Sequence, residues 1–182
     1  MTEAFDMNNP IDRLIFNYAH ARRSWECWCY MVDYQTKVQR HEIHNYINNN
    51  DLLKHLRYLA LKDFHIEITK VIKESRNNGD NIFKFLKALT NHENIKKNAA
   101  LKCLEQLYEC EEIMKIMIGA RDKYFAHLDP DFNNYLKTFS IMNVNECFIA
   151  IENSLMIISS RETLLFHLAQ IPSRDELQLK IE

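Results

Sequence analysis

The chain has 182 residues, 47% of them hydrophobic and 26% charged, which suits one globular domain and excludes a disordered chain. Lys+Arg 23 against Asp+Glu 25 gives a net charge of −2, so no overall basic field draws in nucleic acid. Only 2 glycines and 3 prolines occur, too few turn formers for a sandwich or barrel, and an all-α fold is expected.

Asn9-Pro10 marks the first helix start, with the asparagine as N-cap and the proline in the first helical position. Ile11, Ile15, Tyr18, Arg22, Trp25, Cys29 and Val32 then recur along one face of a long helix. The polar stretch Gln35–Asn50 predicts a bend. Asp51 is expected to cap a second long helix, with apolar positions Leu52, Leu56, Leu59, Phe64 and Ile68, reaching about Lys73. Ser75–Asn81, with Gly79 inside it, is the clearest loop in the chain. A short helix follows (Ile82, Phe83, Phe85, Leu86, Leu89) and ends near Asn91. The next runs from about His92 to His127, about 54 Å if unbroken, and Asp129-Pro130 stops it. Tyr135–Met142 carries no clear pattern, and a last helix spans Asn145 to Ala169 before Ile171-Pro172. The expected architecture is an up-and-down bundle of four or five main helices. Residues 1–172 form its single domain and 173–182 a charged, disordered tail.

The five cysteines (Cys27, Cys29, Cys103, Cys110, Cys147) lie in apolar helical stretches, and the polar, acidic Met1–Asn9 does not read as a signal peptide. Free, buried thiols in a reducing cytoplasm are the expectation. Neither Cys27/Cys29 nor Cys103/Cys110 has zinc-type spacing. No apolar run approaches the ~20 residues of a membrane span.

The segment richest in chemistry is Arg121-Asp122-Lys123-Tyr124-Phe125-Ala126-His127. Cys103, Leu107, Cys110, Met114, Met117 and Arg121 step by three or four, so Arg121 continues an apolar stripe. A guanidinium there needs an ion pair or a cleft. His127 falls in the last turn before Pro130, where the helix dipole favours imidazolium. On an ideal helix the two positions lie about 9 Å apart along the axis and about 120° around it. They converge poorly within one chain, but a two-fold copy of the helix would bring both pairs into one groove.

This segment resembles the signature of the HEPN superfamily, an arginine usually followed by a polar residue, with a histidine a few positions on. The Arg-polar-Lys…Ala-His-x-Asp form is similar to the abortive-infection, AbiU-like branch. Leu59-Ala60-Leu61-Lys62-Asp63, Gly79-Asp80-Asn81 and the short leucine helix also look like that branch, so the likeness covers roughly residues 50–130. It implies a homodimeric, metal-independent endoribonuclease that uses no cofactor and acts as a toxin in toxin–antitoxin or phage-defence systems. By position, His127 would move a proton at the ribose 2′-hydroxyl or the leaving oxygen. Arg121 would stabilise charge on the scissile phosphate, Asp122 would orient it, and Lys123 would hold a flanking phosphate. The implied partners are RNA, a second copy, and an antitoxin such as a nucleotidyltransferase or a DNA-binding protein. Some HEPN toxins carry a nucleotidyltransferase-modified tyrosine two positions after the histidine; here Asp129 stands there. The near-neutral charge favours the alternative, a HEPN-like module that binds nucleotide, RNA or a protein without turnover.

Competing constellations are weaker. His41 and His44 stand at i and i+3 and would share a metal on a helix, but Asp63, His65 and Glu67 alternate by two and share no helical face. Trp25, Trp28, Tyr18 and Tyr30 read as core, with a dimer interface as the alternative.

Overall fold

The computed structural model describes residues 6–32, 41–74, 79–91, 95–125 and 141–161. Among them are seven α-helices, one π turn and no strand. Helix α1 (Pro10–Val32) starts as its sequence implies, Asn9 Oδ1 accepting the Ile11 N–H at 2.9 Å. Asn50 alone separates α2 (His41–Asn49) from α3 (Asp51–Ile72). The cap of α3 is Asn50 rather than Asp51, because Asn50 Oδ1 takes the Leu53 N–H at 3.2 Å. Asp51 lies inside the first turn and pairs with Lys54 at 2.8 Å. Asn81 caps α4 (Ile82–Thr90) in the same way, through the Lys84 N–H at 2.9 Å.

The helix expected from His92 to His127 is not one rod. It is divided into α5 (Lys97–Glu109), α6 (Glu111–Ala120) and a π turn, Arg121–Phe125. At the first break Cys110 has φ −90° and ψ 6°, and its N–H reaches the Leu107 carbonyl at 3.1 Å, a tightened last turn. Glu111 and Glu112 then fill the first turn of α6, where carboxylates favour a helix N-terminus. The bend lets α5 pack on α4 and on α7 (Ile141–Ser159) while α6 turns toward α3. Together with α2, it raises the helix count above the four or five expected. Helix α7 begins before Asn145 and stops at Ser159, where Ser160 takes a left-handed φ of 58°. The expected continuation to Ala169, residues 135–140 and the 173–182 tail lie outside the described residues.

One apolar cluster joins α1, α3, α4, α5, α6, the π turn and α7. At its centre Trp25 stacks on Trp28 at 5.1 Å and meets Phe64 at 4.9 Å. The tryptophans and Tyr18 are therefore core, as read from the sequence; the Tyr30 hydroxyl is buried without a hydrogen-bond partner among the described residues. The Tyr18 hydroxyl donates to Glu152 at 2.5 Å, and Arg22 joins the same group, 2.6 Å from Glu26 and 4.6 Å above the Phe148 ring. Burial, then the Glu152 charge, push the Tyr18 hydroxyl far above its usual range, so it stays a donor.

Only part of the apolar pattern of α3 is core. Phe64, Ile68 and Leu61 are buried, whereas Leu52, Leu56 and Leu59 are 66%, 44% and 40% exposed. Nor are the thiols uniformly buried: Cys103 and Cys147 are, Cys29 and Cys110 are half-buried, and Cys27 is exposed. No described helix is long and apolar enough to cross a membrane.

Candidate functional site

The π turn carries the segment that the sequence singled out. Ala120 and Phe125, five positions apart, are both buried, a separation that the i→i+5 turn serves better than an α turn. Phe125 is anchored on α3, its ring 4.8 Å from His65 and 5.9 Å from Tyr58. His65 is fully buried, and its Nδ1 lies 2.7 Å from the Leu61 carbonyl. Because a carbonyl only accepts, Nδ1 carries the proton. Burial lowers the ring's pKa to about 4 and keeps it neutral.

With Phe125 held inside, Arg121 and Asp122 stand at the edge of the bundle. The Arg121 guanidinium is about one-third exposed and donates through Nε to Asp122 Oδ1 at 2.7 Å, with a second, very short bond from Nη2 to the same oxygen. The opposite carboxylate oxygen takes the Lys73 ammonium at 3.1 Å. Partial burial alone would raise the Asp122 carboxyl, but Arg121 and Lys73 together hold it below the ordinary carboxylate range. The guanidinium on the apolar stripe is thus satisfied by its own neighbour. Its Nη1 makes no hydrogen bond among the described residues, and Lys123 is exposed without a described partner. Two cations on one carboxylate leave a local positive surplus on a chain of net charge −2. Such a cluster suits a phosphate or another oxyanion.

The geometry brings Arg121 and Asp122 together, with Lys123 beside them; His127 lies outside the described residues. Lys73 was missed, because a lysine ending a helix is ordinary and nothing in the sequence ties it to a residue 49 positions away. The second constellation disperses. Asp63 takes the Ser24 hydroxyl, His65 is interior and Glu67 pairs with Lys70. Among the described residues no three His, Cys, Asp or Glu side chains gather as metal ligands.

No family model, curated protein or solved structure matches the chain.

Proposed function

We propose that this chain is a metal-independent endoribonuclease of the HEPN type, working as a homodimer with Arg121 and His127 from both copies in a shared groove. The observation that supports it is the Arg121–Asp122–Lys73 cluster, a guanidinium oriented through two nitrogens on a π turn just before His127. In this reading Asp122 holds Arg121 until a backbone phosphate arrives. Arg121 then stabilises charge on the phosphoryl oxygens, and His127 transfers a proton at the 2′-hydroxyl or the leaving oxygen. Lys73 and Lys123 hold flanking phosphates, which compensates for the neutral balance of the whole chain. The cellular setting is a toxin or phage-defence system, restrained by an antitoxin such as a nucleotidyltransferase or a DNA-binding protein.

The test is RNA cleavage by the purified chain in chelator. The wild type is expected to cut, and His127→Ala or Arg121→Ala to lose on the order of 10²–10⁴-fold in rate while retaining native circular dichroism and dimerisation. Unchanged cleavage and cellular toxicity in folded His127→Ala would end the proposal. One observation favours a second reading, a binding module without turnover: Arg121 is already engaged by its own carboxylate. That reading predicts RNA retention with no product, indifferent to His127→Ala.

A further inference from the structure

Helices α5 and α7 pack antiparallel, and their polar contacts keep one register. The Lys96 ammonium, at the start of α5, reaches the Ile157 carbonyl near the end of α7 at 2.7 Å. Further along, Gln106 takes the Asn153 amide at 3.4 Å, and Cys103 hydrogen-bonds with Ser154. Seven residues make about two helical turns, and that step carries Cys103 to Cys110 and Ser154 back to Cys147. The same faces meet again at this level, where the Cys110 and Cys147 thiols hydrogen-bond with each other. Cys27 and Cys29, two apart on α1, are not faced in this way.

The two sulfurs differ in access. Cys147 is buried on α7, whereas Cys110 is half-buried and stands at the break between α5 and α6. The hydrogen bond from Cys147 holds the Cys110 thiol below its ordinary range, against burial and the charges of Glu146 and Glu109. The same contact, with burial, holds the Cys147 thiol well above its own. Cys110 is thus the sulfur that ionises first and that a small reagent reaches, and Cys147 waits directly behind it.

We propose that Cys110 and Cys147 are a peroxide-reactive pair that closes into a reversible disulfide within the chain, Cys110 attacking and Cys147 resolving. The Cys110 thiolate attacks one oxygen of hydrogen peroxide, the O–O bond breaks, and the departing hydroxide takes up the proton that Cys110 had lost. Water leaves, and Cys110 is a sulfenic acid. The Cys147 sulfur then gives up its proton and attacks the Cys110 sulfur. The S–O bond breaks, and the hydroxide leaves with that proton as a second water. The two thiols lose two electrons, and the peroxide gains them. The sulfurs close from hydrogen-bond reach to about 2.05 Å. The bridge ties the α5/α6 break to α7 and closes a loop that contains Arg121 and Asp122. The pair uses neither residue and stands whether or not the chain cleaves RNA.

The test is mass spectrometry of the full, native chain after treatment with hydrogen peroxide. Wild type is expected to lose two hydrogens and to leave three of its five cysteines open to alkylation once unfolded. A dithiol reductant should restore all of them. Cleavage after glutamate separates Cys103 from Cys110 at Glu105 and Glu109, so the peptide containing Cys110 should be found joined to the one beginning at Cys147. Cys110→Ser and Cys147→Ser are expected to abolish the bridge and Cys103→Ser to keep it, with circular dichroism confirming each fold. In Cys147→Ser the sulfenic acid has no resolving thiol, and dimedone should trap it on Cys110. No loss of hydrogens in wild type would overturn the assignment. So would a bridge mapped to other cysteines or between two chains, or one that survives Cys110→Ser or Cys147→Ser. Dimedone found on a different cysteine of Cys147→Ser would overturn it as well.

Discussion

His65 shows how one side chain couples burial to pH. Its ring lies between Phe64 and Phe125, each at 4.8 Å, with its pKa lowered by burial to about 4 from 6.5. Between those values the unfolded chain binds a proton that the native ring excludes, so stability falls as pH falls through the window. The loss reaches about 3 kcal/mol near the folded pKa. Urea midpoints should drop from neutral pH to about pH 4, and His65→Phe should flatten that slope; an unchanged slope would assign it to other groups. Lys73 makes a different prediction. If it holds a phosphate, Lys73→Ala should weaken RNA binding at every sequence and reduce the log–log salt slope by roughly one. A slope equal to wild type would leave Lys73 as a surface partner of Asp122. Arg121 was legible as an out-of-place guanidinium with Asp122 beside it to orient it; Lys73 was not, because spacing along one helix cannot report what a neighbouring helix presents.

At the level of helices, starts were easier to read than breaks. Asn9, Asn81 and the Asp51 region mark starts because a cap is local chemistry, although the α3 cap falls one residue earlier, on Asn50. The bend at Cys110 has no proline or glycine to announce it. Its local trace is the Glu111-Glu112 pair, and its cause is the need to pack α5 and α6 on different neighbours. The π turn was equally hidden, since it follows from where Phe125 finds its pocket on α3. Gly119 lies in α6 two residues before Arg121, and a Cβ placed there meets nothing within 4 Å. Gly119→Ala should therefore raise stability by about 1 kcal/mol through lost freedom of the unfolded chain. Thermal melts check this directly. A lower midpoint would show that the wide turn needs the glycine.

Across the whole molecule, composition was enough for the helical class, since a chain with 2 glycines and 3 prolines lacks the turns of a β fold. The interior was legible where aromatic residues repeat, as at Tyr18, Trp25 and Phe64, all of which are buried. The exterior of α3 was not, because leucine at helical spacing reads the same whether it meets the core or, as at Leu52, Leu56 and Leu59, solvent. Cys27, on α1, is exposed, whereas the other four thiols are buried or half-buried. Desolvation raises its thiol pKa and Arg23 only partly offsets this, so alkylation is slow yet favoured there by access. A maleimide dye would thus attach first on α1, giving the native chain a single fluorescent label without engineered cysteines.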